Sequence, residues 1–317
     1  MFSTHTKSTI LSSLTIALAM TCIVASGCDE RGLSGVVSFR MNGLDGAGWS
    51  VKKPVALGSV FKLASTSNSV ELHSDDTNKL VKLSNGRWEA VGDGEVQVFA
   101  VNESGDAIDS VKLTIVAPEK LQLAPTLDTG EDIDAPDGGL VVLSGASARV
   151  KVKLLAGDRV LQHSRVVTPS TNLDVAKVTL IDDILTINAH GIADGALELG
   201  VKDFPSIAGK RPLRCVNTSA LATVDVALKA FGGTNSKGNR FAIAWLRART
   251  SDSVPIVGVR AGWQAIDAAA VVLGPKPDQT SEFAFIEAPA GQLIGLRAKI
   301  AGATFELPVT IPQVDAD

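Results

Sequence analysis

The residues in this chain that could do chemistry are few, and their spacing matches no common catalytic motif. Its 317 residues include three Cys and four His. His73, His163 and His190 lack the His-Glu-x-x-His spacing that binds zinc, and no Cys has a metal-ligand spacing. Gly32-Leu-Ser-Gly35 is one residue short of a nucleophile elbow, and the run from Gly232 to Asn239 lacks the Gly-Lys-Ser/Thr ending of a phosphate loop. We therefore expect no enzymatic activity.

Cys28 is the residue with the clearest chemical assignment. The segment from Ile10 to Ala25 carries no charge, is shorter than the ~20 residues of a membrane-spanning helix, and fits the apolar region of a secretory signal. It runs into Val24-Ala-Ser-Gly-Cys28. This run resembles the lipobox of bacterial lipoproteins, in which small residues precede a lipidated Cys that becomes the mature N-terminus. Ala25 stands where Leu is commoner.

The resemblance implies a diacylglyceryl group on the Cys28 thiol, an acyl chain on its amine, and stable membrane attachment through these chains. Removal of residues 1–27 leaves 29 basic and 34 acidic residues, a net charge of −5. Two alternatives stay open: an ordinary signal peptide cut after Ala25 or Gly27, and an uncleaved anchor helix. Asp29 resembles the inner-membrane retention signal of enteric lipoproteins. That rule does not hold in all bacteria, so either membrane is possible.

An acidic stretch is the one candidate ion site. Its carboxylates are Asp128, Glu131, Asp132, Asp134 and Asp137, with Gly and Pro between them. Oxygen ligands in a flexible loop suit Ca²⁺, but the spacing is not that of an EF-hand. A solvated acidic loop is the alternative, so we assign no metal or other cofactor from the sequence.

Two further groups have structural interpretations. Cys215 alternates with Leu213 in a strand, which indicates a core position, although Arg211 and Arg214 nearby leave an activated thiol as the alternative. Near the C-terminus, the alternation of Phe241, Ile243 and Trp245 predicts a strand face packed in a core. Four arginines of the same region indicate a solvated strand face, with an anionic polysaccharide patch as the alternative: Arg240, Arg247, Arg249 and Arg260.

Composition excludes several classes of protein. Hydrophobic residues make up 45% and charged residues 20%, which excludes a disordered chain. A net charge of −4 argues against nucleic-acid binding, which needs a basic face. Three Cys cannot build a disulfide framework.

An internal repeat indicates the elements of the chain. Three strands each follow a glycine, namely Gly94, Gly195 and Gly291, and a polar turn then leads to a closing strand in each copy. An Asp-containing turn and a Val- or Leu-rich strand come before, at residues 75–83, 174–180 and 267–273. Period-2 alternation in short runs predicts antiparallel hairpins with one buried face. The Ala-rich segment from Gly262 to Leu273 is the best helix candidate, but its alignment with the repeat favours a turn into a strand.

The order of these elements resembles the bacterial immunoglobulin-like (BIG) domains of envelope lipoproteins and intimin-like adhesins, over residues 33–315. The resemblance implies an all-β fold with three tandem Ig-like β-sandwiches and no catalytic residues. The absence of Tyr excludes the tyrosine corner of antibody domains. We predict a signal peptide at 1–27 and Ig-like domains at 28–117, 118–217 and 218–317. Short linkers predict a semi-rigid array.

The predicted function is that of a lipid-anchored cell-envelope protein acting as a non-enzymatic structural or interaction module. The alternative is an adhesin or carbohydrate-recognition protein that binds through loops of the third domain. The expected partners are the membrane, through the anchor, and an unidentified envelope protein or surface glycan, but no nucleic acid.

Overall fold

The computed structural model describes residues 30–44, 46–126, 139–276 and 278–313. Within these ranges the chain forms β-strands and two short 3₁₀ turns, Pro205–Ile207 and Thr218–Ala220. None of the described residues forms a helix that could span a membrane. The expected all-β fold class is confirmed, and the segment from Gly262 to Leu273 contains strands, as its place in the repeat predicts.

The first sandwich consists of two facing sheets. Its strands are β1 (Glu30–Arg31), β2 (Ser38–Asn42), β3 (Gly48–Trp49), β4 (Val55–Ala56), β5 (Val60–Ser65), β6 (Glu71–Ser74), β7 (Leu80–Lys82), β8 (Trp88–Ala90), β9 (Gly94–Val101) and β10 (Ala107–Val116). One sheet has the order β1-β2-β5-β8-β7, with β3 paired to β2, and the other has the order β4-β10-β9-β6.

The second sandwich repeats this plan. Its strands are β11 (Lys120–Thr126), β12 (Leu140–Leu143), β13 (Ser147–Ala156), β14 (Arg159–Leu161), β15 (Val167–Thr171), β16 (Ala176–Ile181), β17 (Ile184–Ala189), β18 (Ala193–Val201) and β19 (Gly209–Val216). One sheet has the order β11-β13-β17-β16, with β14 paired to β13. In the other, β15, β18, β19 and β12 lie side by side.

The third sandwich has two facing sheets as well, and one of its strands joins it to the second sandwich. Its strands are β20 (Thr223–Phe231), β21 (Asn239–Arg249), β22 (Pro255–Val257), β23 (Gly262–Ala265), β24 (Val271–Gly274), β25 (Phe283–Pro289), β26 (Leu293–Ile300) and β27 (Ala303–Thr310). One sheet contains β20-β21-β25-β24, with β22 paired to β21, and the other contains β23-β26-β27. Strand β22 also pairs with β12, which joins this sandwich to the second one.

Each sandwich has the strand order of an immunoglobulin-like Greek key, in which strands A-B-E-D face strands G-F-C. The A-B-E-D strands are β2-β5-β8-β7, β11-β13-β17-β16 and β20-β21-β25-β24, and the G-F-C strands are β10-β9-β6, β19-β18-β15 and β27-β26-β23. A further short strand, A′, runs parallel to strand G in the first two sandwiches as β4 and β12. The expectation of three tandem Ig-like sandwiches is therefore confirmed.

The sequence repeat corresponds to strands D to G of each sandwich. The strands that follow the three glycines are the F strands β9, β18 and β26. The glycines themselves are not equivalent, because Gly94 begins β9, Gly195 is the third residue of β18, and Gly291 precedes β26. Gly94 and Gly291 have φ of +108° and +75°, a region that favours glycine, whereas the missing side chain of Gly195 makes room for Leu173.

Alternation of apolar residues builds one core for each sandwich. Along β13, buried and half-buried residues alternate over all ten positions, so one face packs inward. The three cores are centred on Trp88 and Phe61, on Leu154 and Ile187, and on Trp263 and Leu296. No disulfide is needed at these sizes, and Cys215 is a free, buried thiol.

Candidate interaction site

The two site predictions from the sequence lie outside the described residues. Cys28 belongs to residues 1–29, and the acidic stretch from Asp128 to Asp137 belongs to residues 127–138. Both stay predictions. For calcium, a thermal melt with and without the ion or a chelator is the test, and an unchanged midpoint would exclude binding. Within the described ranges, no group of three or more His, Cys, Asp or Glu side chains is arranged to hold a metal.

The three histidines of the described residues occupy different environments. His163 is buried, its Nε2 lies 2.7 Å from the Val152 carbonyl, and its Nδ1 has no hydrogen-bond partner among the described residues. Burial lowers the pKa of His163, although the Val152 carbonyl opposes the shift, so the ring is neutral at pH 7. His73 is exposed beside Glu71, and His190 is an exposed turn residue, as its sequence context predicts.

Cys215 lies fully buried in the core of the second sandwich, together with Leu213. Burial raises the pKa of its thiol, and the nearby Asp194 raises it further. Arg214 points instead toward two carboxylates, with guanidinium distances of 3.7 Å to Asp194 and 3.1 Å to Asp252. The core interpretation is confirmed, because a buried, protonated thiol is unreactive.

An open groove lies in the first sandwich. It has a volume of about 650 Å³ and runs beside the B–C connection and the edges of β5 and β6. Its lining contains neither His nor Cys. Lys82 donates a 3.0 Å hydrogen bond to Glu71 there and lowers the pKa of that carboxyl. The groove therefore offers polar contacts but no paired nucleophile and base.

The first junction, between the first and second sandwiches, is centred on Gln162. Its backbone N–H donates to the Pro54 carbonyl at 2.9 Å, and its carbonyl accepts from the Ala56 N–H at 2.9 Å. Its side-chain oxygen accepts from the Ser50 N–H at 2.7 Å, while its amide nitrogen donates to the Ser50 carbonyl at 2.8 Å and the Lys53 carbonyl at 3.0 Å. One residue thus satisfies five polar groups and fixes the position of β4.

Asp182 makes a second contact at the first junction. Its carboxylate accepts a hydrogen bond from the Leu44 N–H at 3.1 Å and another from the Ser164 hydroxyl. A side chain on Gly43 would occupy the position of the Asp182 carboxylate, so the approach requires glycine there. Asp182 itself has φ of +49°, which Asp tolerates better than most residues.

The second junction is a continuous sheet. Strand β12 pairs in parallel with β19 on one side and with β22 of the third sandwich on the other. Leu140 and Val142 pack in the core of the second sandwich, whereas Val141 and Leu143 pack in the core of the third. At the first junction the two side chains of β4 also pack in different cores, since Val55 belongs to the core of the first sandwich and Ala56 to that of the second.

Both junctions therefore use one arrangement. The connection between strands B and C folds back on strand B and adds a parallel pairing to the A′ strand of the preceding sandwich, at Gln162 in one case and at β22 in the other. Sequence reasoning missed Gln162 and Asp182, which no motif marks. The unbroken apolar run of β12 could have indicated the second junction, because a strand that is buried on both faces does not alternate between apolar and polar residues.

The outer face of the third sandwich corrects one expectation. Phe241, Ile243 and Trp245 do not pack in the core; the alternate residues of β21, Ala242 and Ala244 among them, do. Both faces of this strand are apolar, so alternation alone does not show which one points inward. Trp245 is nonetheless only 9% exposed.

The outward side chains form an aromatic cluster. Phe231 lies 6.2 Å from Phe241 and 6.5 Å from Phe285, and Phe283 lies 5.2 Å from Phe285, measured between ring centroids. These are stacked and edge-to-face distances. At the margin of the cluster, Val271 and Leu273 are about half exposed, at 51% and 49%. We call this surface the aromatic face.

The arginines of this region mostly bind the chain itself. Arg240 donates to the carbonyls of Pro312 and Gln313, and Arg249 donates to the Ser253 carbonyl at 3.0 Å. Arg247 is an exposed residue of the outer strand face, as expected. Arg240 and Arg249 are thus engaged in hydrogen bonds within the chain.

Comparison with known proteins identifies no family. No family profile matches the chain, and no curated protein matches it. Among solved structures, it is similar to the surface-layer protein SbsC, domains 4–9 (13% identity, 92% of this chain, 46% of that one, TM-score 0.30). It is also similar to the Escherichia coli adhesin FdeC (14% identity, 87% of this chain, 96% of that one, TM-score 0.26). A third similar structure is that of invasin, a bacterial integrin-binding protein (11% identity, 88% of this chain, 60% of that one, TM-score 0.24). The chain spans less than half of the SbsC fragment.

Proposed function

We propose that this protein is a lipid-anchored cell-envelope protein whose three sandwiches form a non-enzymatic interaction module. The observation that carries the proposal is the construction of the junctions. Main-chain pairing and shared core residues at β4 and β12 hold neighbouring sandwiches together, rather than a flexible linker. Such an array positions a binding surface on its third sandwich relative to its first.

The proposed units are a signal peptide at residues 1–27 and domains at 28–117, 118–217 and 218–317. Strand β1 begins at Glu30, two residues after Cys28. With lipid on Cys28, the first sandwich would therefore be held close to the membrane surface, and the third would be the part of the module that reaches a partner.

The anchor is tested by Cys28→Ser in cells supplied with labelled palmitate. We expect the variant to lose the label and to leave the membrane fraction, because the thiol is the proposed site of the diacylglyceryl group. Cys215→Ser serves as the matched control and should keep both. Continued acylation and membrane attachment of the Cys28 variant would show that the anchor is not this residue.

The partner class is tested on the protein solubilised from the envelope with mild detergent. A protein that co-purifies in fixed proportion, and that is lost on removal of the third sandwich, supports the interaction module. Binding to defined polysaccharides on a glycan array, without such a protein, supports the carbohydrate-recognition alternative.

The aromatic face favours that second candidate function. Aromatic rings on a sheet surface offer flat apolar contact area at low entropic cost. Phe241→Ser should then abolish glycan binding, whereas Val160→Ser, at an exposed site of the second sandwich, should leave it unchanged. Retention of binding by the Phe241 variant would direct attention to the loops of the third sandwich instead.

A further inference from the structure

As far as the structure describes it, the third sandwich has no counterpart of the A′ strand that the first two possess. In the first sandwich β4 runs parallel to β10, and in the second β12 runs parallel to β19. In the third, β20 pairs with β21 along its whole length, from Thr223 to Phe231, and the turn after it leads directly into β21. Among the described residues, no strand pairs with the outer side of β27.

The register of β27 shows which backbone groups face outward. Ala301 and Gly302 form a two-residue turn with positive φ, so Ile300 and Ala303 are a hydrogen-bonded pair. Alternation then turns the backbone groups of Thr304, Glu306, Pro308 and Thr310 away from β26. The bond from the Ile311 N–H to the Gln292 carbonyl, 3.0 Å, agrees with this alternation.

The seam between β20 and β27 is also incompletely buried. The inward side chains of β20 pack against the core of the third sandwich but are only half-buried: Val224, Val226, Leu228 and Ala230. Phe305 of β27 is half-buried as well. The inward residues of the first A strand, Phe39 and Met41, are completely buried, whereas Leu121 and Leu123 of the second A strand are half-buried like those of β20. Apolar surface and unpaired backbone groups thus lie side by side.

We propose that this seam accepts an extended segment of another protein, which adds to β27 as the missing A′ strand. The first two sandwiches show what occupies the position: a strand of two to four residues, parallel to G, rich in Val, Leu and Ala. The partner segment therefore carries consecutive apolar residues, as Leu140–Leu143 does. Main-chain hydrogen bonds give such pairing its affinity, and the side-chain pattern gives its specificity.

Pro308 restricts how the partner binds. It contributes a carbonyl but no N–H, so an incoming strand is limited to the Thr310 N–H and the carbonyls of Pro308 and Thr310 near this end of β27. The exposed Pro and the exposed Glu306 also protect the edge from indiscriminate pairing. The site is therefore short, like the pairing of β4 and β12 in the other two sandwiches.

A peptide with the sequence of the A′ strand of the second sandwich tests the proposal. A fluorescent peptide with the sequence of residues 139–146, GLVVLSGA, extended by three lysines for solubility, is titrated with the whole detergent-solubilised mature protein. We expect saturable binding and slower amide hydrogen exchange at Thr310. The matched control peptide has Pro in place of the residue corresponding to Val142, which removes a donor, and should bind at least tenfold more weakly.

Two variants of the protein act in opposite directions. Thr310→Pro removes an outward N–H without touching the pairing to β26 and should weaken binding at least tenfold. Pro308→Thr adds an outward N–H and should tighten binding several-fold, which keeps the test decisive even if Thr310→Pro misfolds. Absence of saturable binding, equal binding of the Pro-containing peptide, or indifference to both variants would overturn the proposal.

A second copy of the chain is the competing occupant. If the mature protein dimerises without peptide and Thr310→Pro makes it monomeric, the edge pairs with itself and the proposal is wrong. The inference does not depend on lipid anchoring, since the Cys28→Ser variant should bind the peptide with unchanged affinity.

Discussion

At the scale of single residues, Asp109 shows how one buried carboxylate holds a chain segment in place. It is 5% exposed and accepts hydrogen bonds from the backbone N–H groups of Val37 at 2.7 Å, Ser34 at 2.9 Å and Ser110 at 2.8 Å. Burial opposes its ionisation, but these donors outweigh burial and lower its pKa to about 2. The N-terminal segment is thereby fastened to strand G of the first sandwich.

Asp109→Asn should destabilise the first sandwich by about 1–3 kcal/mol, because one side-chain oxygen acceptor is replaced by an amide donor facing buried N–H groups. Since the pKa of Asp109 is lower when folded, its contribution is fully present above pH 4 and is lost as pH falls toward 2. Urea denaturation at pH 7 and pH 3 measures both effects. Asp106→Asn, in the exposed turn of the same hairpin, should change neither value.

Cys215 should not react with thiol reagents in the folded protein, because burial raises the pKa of its thiol and keeps the reagent from reaching it. In the Cys28→Ser background the mature chain has one thiol. We expect no reaction with a thiol reagent at pH 8 until denaturant is added, and complete reaction afterwards. Rapid labelling of the native protein would contradict the buried position.

At the scale of elements, the sequence predicted strands D to G well and the connecting elements poorly. Strands D to G alternate and end at Gly, Asp or Pro, which are local signals. Strands β4 and β22 are two and three residues long, too short for periodicity to detect. Their partners at the junctions, Gln162 for β4 and β12 for β22, lie more than 100 residues away in the chain, so only the folded sandwiches bring them together.

Gln162→Ala should loosen the first junction. The change leaves the Ser50 N–H and two carbonyls without their side-chain partner, at a cost of about 1–3 kcal/mol. We expect faster hydrogen exchange at Ser50, with exchange in the core of β13 unchanged. The exposed neighbour Arg159→Ala is the matched control, and equal exchange in both variants would show that Gln162 does not hold the junction.

At the scale of the whole molecule, the two junctions differ in strength. The second is a continuous sheet in which four residues of β12 divide between two cores, whereas the first relies on one isolated bridge at Gln162 with its backbone hydrogen bonds, on Val55 and Ala56 in the two cores, and on a few side-chain hydrogen bonds. We therefore expect calorimetry to show the second and third sandwiches unfolding in a single transition, with the first unfolding separately.

Val142→Pro should split that common transition into two, because proline is incompatible with a strand paired on both sides. Val142→Ile keeps the N–H and should preserve one transition. If the wild-type chain shows three independent transitions, or if the Pro variant keeps one, the shared sheet does not couple the two sandwiches.

Period-2 alternation, turn residues and the internal repeat indicated antiparallel strands in three copies, because these are short-range patterns that a single sequence displays, and the resemblance to bacterial Ig-like domains implied the three tandem sandwiches. The sequence did not determine which face of β21 points into the core. Both faces of this strand are apolar, and the facing sheet selects between them. The junctions and the open edge of β27 also depend on which distant strands meet. Only the tertiary structure decided them, because backbone pairing leaves little trace in side-chain identity.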